Sequence, residues 1–599
     1  MPRNISTLAV FVLRGMTPSM MTLRTRMLVA LLAATLPACQ TCGGGDAVDA
    51  GPADAGPPVL SEKEPNDSAA NALVLERSTI VEANLGADPA RPDVDWYVLK
   101  ASLPRTVDFQ ATCPNGGDLA LEVVDESGGV LAQVNAGGAG ATERLPNLDV
   151  SSKTFVRVVT IKKGVGGAYV VTAKFADRMP GYELEPNERK VDASPVALGQ
   201  AISGSVGHGN DVDWFRYELP VDEAVSSAVP EELDAGAPDA GATDAGVLAE
   251  KRLALRVDIS AVEGVSMDLQ ILTEAEAVLF TARSKENGPL SLRNVGVRAA
   301  DRVIYVAVRS ATLGSGKDAK KGMNPDLSYT LTVAPEDTSG NAEFEPNDEA
   351  SRATELPPNS YRDGFISPKG DVDVFRMVTD GPSIAKLQLS GVDKVDLVLS
   401  VIKPVEGKPE EVLLKANEGV AREPEQLNNV ACDSVCFIRV EAAARKVDGK
   451  WVKEDENADQ SYRLTAVVVP DDGTEEKESN NSAASATPVH LGKPIRGTIY
   501  PKKDVDYFAL DLKDRPVKTA LRATVIGVLK VDVGLYLHRV EEDGKLTLVQ
   551  TSDSAKGDRP ETVRFAAEPG LYVLEVRDAK NREANFQDSY QLSVDEGEE

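Results

Sequence analysis

Apolar and polar residues alternate over short runs along most of the chain: Leu119-Ala120-Leu121-Glu122-Val123-Val124, Leu269-Gln270-Ile271-Leu272, Leu397-Val398-Leu399-Ser400-Val401 and Val533-Gly534-Leu535-Tyr536-Leu537. A period of two over such lengths, bounded by Gly, Pro, Asn and Asp, predicts strands. Further runs, Val303-Ile304-Tyr305-Val306-Ala307-Val308 and Leu571-Tyr572-Val573-Leu574-Glu575-Val576 among them, make the chain dense in short strands, and that density predicts β-sandwiches. The only helical expectation is a turn such as Ser68-Ala69-Ala70-Asn71-Ala72.

The pattern repeats four times. Four segments open alike, Glu62-Lys63-Glu64-Pro65-Asn66-Asp67, Glu183-Leu184-Glu185-Pro186-Asn187-Glu188, Glu343-Phe344-Glu345-Pro346-Asn347-Asp348 and Glu476-Lys477-Glu478-Ser479-Asn480-Asn481. Each is followed by a second motif, Asp93-Val94-Asp95-Trp96-Tyr97, Asp211-Val212-Asp213-Trp214-Phe215, Asp371-Val372-Asp373-Val374-Phe375 or Asp504-Val505-Asp506-Tyr507-Phe508. From the second Glu to the first Asp the gaps are 29, 26, 26 and 26 residues. Each unit closes on a Tyr in an alternating run (Tyr169, Tyr329, Tyr462, Tyr590), and the first three lie 16 residues before the second Glu of the next unit. Such internal periodicity decides the architecture before any single residue does.

The N-terminus reads as an address. Arg3, Arg14, Arg24 and Arg26 precede an apolar run from Met27 to Ala38 that ends in Leu36-Pro37-Ala38-Cys39. These are the n-region, h-region and small residue of a signal peptide, and the run is shorter than the roughly 20 apolar residues that span a bilayer. Leu-x-Ala before Cys resembles the bacterial lipobox, which implies that Cys39 is the lipidated first residue of the mature chain. Gln40 in second place points to the outer membrane, and Met20 and Met21 are alternative starts. The rival is an ordinary secretory signal that leaves Cys39 and Cys42 as spare thiols. Gly43-Gly44-Gly45 and Asp49-Ala50-Gly51-Pro52-Ala53-Asp54-Ala55-Gly56-Pro57-Pro58 have little to bury and predict a solvated tether. The same composition at Asp234-Ala235-Gly236-Ala237-Pro238-Asp239-Ala240-Gly241 predicts a disordered insertion over 222–250.

Composition narrows the function. With 65 Lys and Arg against 94 Asp and Glu in 599 residues, the formal net charge is −29, which argues against nucleic acid as a partner and confines membrane contact to acyl chains. Three His and five Cys leave little for His-based catalysis or a zinc cage. His208, His490 and His538 fall in different units, and His208 reads as a loop histidine. In an oxidising compartment Cys432 and Cys436 suit a local disulfide across a turn better than a redox pair. Cys113 is left to pair with Cys42 or to stay free.

On Glu-x-Glu-x-Asn-Asp, the later Asp-Val-Asp-(Trp/Tyr)-(Tyr/Phe) and the closing Ser-Tyr-x-Leu strand, the units resemble the bacterial pre-peptidase C-terminal domain, a β-sandwich appended to secreted peptidases and found in clostridial collagenases. The resemblance covers nearly all of 61–596 as four copies and leaves no room for the catalytic neighbour. The expected fold is all-β, a tandem array of four β-sandwich (jelly-roll-like) domains with a disordered N-terminal tether. Its parts are a signal peptide over 1–38, the lipidated Cys and flexible linker over 39–60, and domains at 61–176, 180–336 (interrupted at 222–250), 341–470 and 474–596.

In collagenase relatives the two motifs help hold Ca²⁺, and the chemistry agrees, because Ca²⁺ takes six to eight oxygens at about 2.3–2.6 Å. The residues implied are Glu62, Glu64, Asn66, Asp67 and Asp93 in unit one, and Glu183, Glu185, Asn187, Glu188 and Asp211 in unit two. Unit three offers Glu343, Glu345, Asn347, Asp348 and Asp371; unit four offers Glu476, Glu478, Asn480 and Asp504, with Asn481 in place of the acid. The competing reading makes the Asn and Asp helix caps and turn residues, with the second Asp of Asp-Val-Asp bonding turn amides. Taken together, the sequence predicts a non-enzymatic, lipid-anchored outer-membrane protein, a calcium-stabilised binding or spacer scaffold for an unknown protein or polysaccharide ligand. Its rivals are an accessory or regulatory partner of a secreted peptidase and a carboxylate-based glycoside hydrolase. A hydrolase should carry acids in one unit that the others lack.

Overall fold

The computed structural model describes residues 56–599 apart from 89–92, 113–116, 162–165, 221–251, 285–286, 299, 315–319, 337–339, 516, 555–558 and 598–599. The signal peptide 1–38, Cys39, Cys42, Cys113, most of the 39–60 linker and the insertion 222–250 lie outside the described residues. Within the described residues the regular structure is β. The helical features are two three-residue 3₁₀ turns, Lys190–Asp192 and Ala483–Ser485, and the stretch after the first opening motif is a plain turn closed by Asn71 N–H on the Ser68 carbonyl.

Each repeat supplies two layers. In the first, one sheet runs in the order Val59–Ser61, Thr79–Leu85, Gly167–Asp177, Arg105–Thr112, Thr142–Val150, and the other Leu73–Leu75, Val94–Lys100, Lys153–Thr160, Leu119–Val124, Val130–Val134. The three later repeats follow the same neighbour order, except that the sheet with the closing Tyr strand has four strands and no counterpart to Val59–Ser61. The two-residue period does what it predicts, with Thr79–Leu85 alternating inward and outward, and the inward residues of both layers merge into one core per repeat. The motifs are anchored in these cores. The last residue of each second motif (Tyr97, Phe215, Phe375, Phe508) is fully buried, as is the closing Tyr. In the last three repeats the two rings meet edge to face, with centroids 6.5, 6.4 and 6.3 Å apart.

The expectation of a tandem array of four separate β-sandwich (jelly-roll-like) domains is corrected here: the all-β class stands, and the separateness does not. Residues 57–599 form one compact unit, a continuous, solenoid-like β stack in which the chain coils between its layers and each repeat is built onto the one before. The reason lies in the main chain at the seams. The edge strand of each of the first three repeats (Thr142–Val150, Leu290–Arg298, Glu425–Cys432) carries a bulge, and in each bulge an Asn takes a left-handed φ, Asn147 at 51°, Asn294 at 52° and Asn429 at 52°. The next repeat's second Glu docks there. Glu185 N–H donates to the Asn147 carbonyl (3.1 Å) and its carbonyl accepts from Asp149 N–H (2.7 Å). Glu345 pairs with Asn294 and Gly296 at 2.9 and 2.8 Å, and Glu478 with Asn429 and Ala431 at 2.8 and 3.0 Å.

Just upstream, the same segments pair in parallel with their own repeat, Tyr182 with Ser203, Ala342 with Asp363 and Glu475 with Arg496. One stretch of chain thereby joins two sheets. Side chains reinforce the seams: Arg144 pairs with Asp326, Arg178 with Asp149, Asn428 Nδ2 donates to the Phe586 carbonyl at 3.0 Å, and the Arg293 guanidinium lies 4.0 Å from the centre of the Phe365 ring. The last repeat differs at its far edge. Its strand Glu561–Ala567 pairs in unbroken register, without a bulge, and turns Arg564 outward, a charged finish of the kind that protects exposed strand edges.

Cys432 and Cys436 face each other across the turn between Glu425–Cys432 and Val435–Ala442, joined as a disulfide with Cα atoms 5.7 Å apart.

If the seams hold the stack together, the last repeat cut out as residues 474–599 should melt below the same residues in the 57–599 chain. Differential scanning calorimetry of the two checks this, and equal melting temperatures would make the docking bonds energetically idle.

Candidate metal centre

The two acidic motifs meet in every repeat, and the same four bonds bring them together. The first Glu hooks the strand that follows it: Glu183 Oε1 accepts from Ser205 N–H at 2.6 Å, Glu343 Oε1 from Phe365 N–H at 2.7 Å, Glu476 Oε1 from Thr498 N–H at 2.7 Å, and Glu62 Oε1 from Asn84 N–H. The second Glu folds back on the Asn two residues on, whose N–H donates to Glu64, Glu185, Glu345 and Glu478 Oε2 at 3.1, 3.1, 3.0 and 3.1 Å. The Asn carbonyl then receives the residue after Asp-Val-Asp: Trp96, Trp214, Val374 or Tyr507 donates at 3.0, 3.3, 3.1 or 3.1 Å. The first Asp closes its own turn, Asp93, Asp211, Asp371 and Asp504 accepting from Gly86, Gly207, Ser367 and Tyr500 N–H at 2.5, 2.5, 2.7 and 2.9 Å.

These bonds gather carboxylates that water would keep apart. Oxygens of Glu62, Glu64 and Asp95 lie within 4.8 Å of one another, as do those of Glu183, Glu185 and Asp213 and of Glu343, Glu345 and Asp373. Glu64, Asp67 and Asp93 form a second such group in the first repeat, and Glu188 and Asp211 meet His208 in the second. Asp348 sits at the exposed rim of the third cluster, and its charge bears on Glu345 and Asp371. In the fourth, Asp504 and Glu476 act on Glu478, and Asn481, standing where the others have an acid, accepts from Val505 N–H at 3.3 Å.

The site residues named from the sequence leave out the deepest member. The second Asp of each Asp-Val-Asp (Asp95, Asp213, Asp373, Asp506) is at most 1% exposed and takes a hydrogen bond from the closing Tyr. Tyr169, Tyr462 and Tyr590 hydroxyls donate to Asp95, Asp373 and Asp506 at 2.5, 2.7 and 2.7 Å, and Tyr329 bonds Asp213. Recurrence of both Asp residues in all four motifs was the available signal. Tyr462 and Tyr590 also lie 3.0 and 2.9 Å from the first Glu, a closeness that requires Gly364 and Gly497 alongside. A Cβ on either would sit 2.3 Å from the Tyr hydroxyl. The first repeat has Ala83 there, opposite Tyr169, and its Tyr hydroxyl turns to the Tyr97 hydroxyl, 2.7 Å away.

The cluster is acid-rich and short of partners. Buried oxygens of Asn66, Asp95, Glu183, Asn187, Asp213, Glu478, Asn480 and Asp506 have no hydrogen-bond partner, which is costly for groups removed from water. Two ionised carboxylates about 4.8 Å apart repel by roughly 3–4 kcal/mol at an effective dielectric of about 20. Relief comes from protons or from a cation. Burial, more than any neighbour, pushes Asp95 up to about 8 and Glu343 and Glu476 to about 7, and lifts Glu185, Asp373 and Asp506 well above the carboxylate range. In the third repeat an amide supplies some relief: turned to donate, Asn347 Nδ2 lies 3.2 Å from both Asp373 Oδ1 and Glu345 Oε1. In the second, buried His208 accepts from Asn210 N–H at Nδ1 (3.2 Å) and holds Nε2 3.8 Å from Glu188 and 3.9 Å from Asp211. A hard divalent cation fits the donor set as a whole, which is carboxylate and amide oxygen at alternate positions of an extended segment, facing a second pair of carboxylates.

No protein-family model matches the chain, and no curated protein matches it. Among solved structures it is weakly similar to the pre-peptidase C-terminal domain of a collagenase from Bacillus anthracis, at 21% identity over 18% of this chain and 93% of that one, with a TM-score of 0.15.

The raised carboxyl groups set a pH dependence. Without a cation, the folded chain keeps protons that the unfolded chain releases from ordinary values of 3.8 and 4.5, so stability falls as pH rises from about 4 towards 7–8. In chelator the melting temperature should therefore decline between pH 5 and pH 8, and Asp373→Asn should flatten the decline; a melting temperature that rises over this range would show that the clusters carry no strain. Separately, Gly364→Ala should destabilise by about 1–3 kcal/mol, the usual range for overpacking, and Ala83→Gly by no more than about 1 kcal/mol, as read by urea unfolding.

Proposed function

We propose that this chain is a non-enzymatic, lipid-anchored scaffold of the bacterial cell envelope, a multi-repeat spacer or binding rod whose seams are stiffened by Ca²⁺. The observation that carries it is the recurrence of one oxygen cluster in all four repeats, buried in the last three, where it lies on the segment that joins a repeat to the one before. A cation at such a place would bind both motifs of one repeat while its second Glu is held by the preceding edge strand, and so fix the angle between neighbours. The inner clusters favour a structural role over a catalytic one: Glu183, Glu343, Glu476, Asp373 and Asp506 are sealed from solvent, out of reach of a substrate. Equivalent acids in every repeat suit repeated ion sites better than one active site.

The envelope address rests on Leu36-Pro37-Ala38-Cys39. Lipidation at Cys39 would place the stack on the outer membrane by its acyl chains, with a protein or polysaccharide ligand meeting the faces or loops of the strands.

Calcium titration of the 57–599 chain by calorimetry tests the ion reading. Saturable binding of two or more ions, with a melting temperature raised in proportion to the logarithm of free Ca²⁺ above its dissociation constant, is the expected result, together with a more extended small-angle scattering profile than in chelator. Absence of heat and of thermal shift would return the motifs to caps and turns. For the anchor, Cys39→Ser should release the protein from the membrane fraction and abolish labelling by a fatty-acid precursor.

A further inference from the structure

The four clusters have the same donors and different surroundings. In repeats two to four the opening motif is covered by the preceding bulged strand. Its first and second Glu are at most 6% exposed, both main-chain groups of the second Glu are bonded across the seam, and Leu184, Phe344 and Lys477 between them are half-buried. The cover also reaches the acids themselves, since Asn429 Nδ2 donates to Glu476 Oε1 at 2.7 Å and Asn294 Nδ2 lies 3.5 Å from Glu343 Oε1. The first motif has no such cover among the described residues. Lys63, Glu64, Pro65 and Asp67 are exposed, and Glu62 and Asp93 half-buried. Its inner half is nonetheless built for a ligand: Asn66 and Asp95 are fully buried, each with an unpartnered oxygen, and Asp95 faces Glu62 and Glu64 within 4.8 Å.

We propose that the cluster of Glu62, Glu64, Asn66, Asp93 and Asp95 is an exchangeable divalent-cation site, open on one side to water or an incoming carboxylate, whereas the three inner sites are locked shut by the left-handed Asn of the preceding repeat. This rests on the calcium reading and adds to it a division of labour. An ion held among the buried acids of an inner site exchanges slowly, because the second Glu is held by two main-chain bonds and no solvent reaches the first, even where a rim residue such as Asp348 is exposed. The ion in the outer site meets no such barrier. Inner ions are then long-lived parts of the stack, and occupancy of the first site follows the free cation concentration around the base of the stack.

Calcium release separates the two. The 57–599 chain, loaded with Ca²⁺ and mixed with excess fluorescent chelator in a stopped-flow instrument, should release one ion in a fast phase and the rest at least about tenfold more slowly, since the seam's hydrogen bonds hold the second Glu in place. Glu64→Gln should remove the fast phase and leave the slow ones. Asn429→Val, which disfavours a left-handed backbone, should convert one slow ion to fast, while Asn429→Gly, which keeps that backbone, should convert it less. Release of all ions in a single phase, or a fast phase that survives Glu64→Gln, overturns the division while leaving calcium binding intact. Absence of bound calcium overturns both.

Discussion

Everything in this stack leans on one segment, the few residues around the second Glu of each opening motif. In repeats two to four its main chain is tied to the preceding repeat; in all four its side chain folds back on its own Asn, and that Asn holds the second motif through a carbonyl bond. Position and charge are thereby coupled. The bonds that seat a repeat on its neighbour are the same bonds that press four or five acids together, and the seat is only as quiet as the charges are neutralised. Ordinary hydrophobic packing does the rest, with one core per repeat and an aromatic pair tying the second motif to the closing strand.

Much of this was legible in the sequence, because it rests on local periodicity. Alternation named the strands, and the fixed distance from closing Tyr to the next second Glu showed that successive repeats are joined by short links of constant length. Apart from the second Asp of each Asp-Val-Asp, the acids that lie together in the fold are among those that recur in one order along the sequence. Two features were not legible. The Asp buried deepest, as in Asp373, reads in sequence like a turn residue, and only the fold shows a Tyr hydroxyl reaching it from 89 positions away. The seam was invisible for a different reason. The Asn that receives the next repeat precedes the second Glu by 38, 51 and 49 residues, since the loops and hairpins between them vary in length, so no spacing marks it. Strands that each looked complete within a repeat are finished by the next one, and for that reason an array of separate sandwiches was expected where the main chain runs on.

The first repeat is an instructive exception. It alone has a Tyr, Tyr97, where the others have Phe, and the Tyr169 hydroxyl shares a hydrogen bond with it at 2.7 Å as well as donating to Asp95. Glu62 takes its internal bond from Asn66 Nδ2 at 3.4 Å instead, and the open side of the cluster is what sets this repeat apart.

The unbulged last strand, Glu561–Ala567, bears on how such a chain could have grown. A duplicated copy joined after residue 596 would find no left-handed Asn to seat its second Glu and would hang free, whereas a copy inserted between existing repeats would inherit a seat below and offer one above. The final repeat therefore presents an edge unlike that of the other three, without the bulged Asn seat on which each of them carries its neighbour.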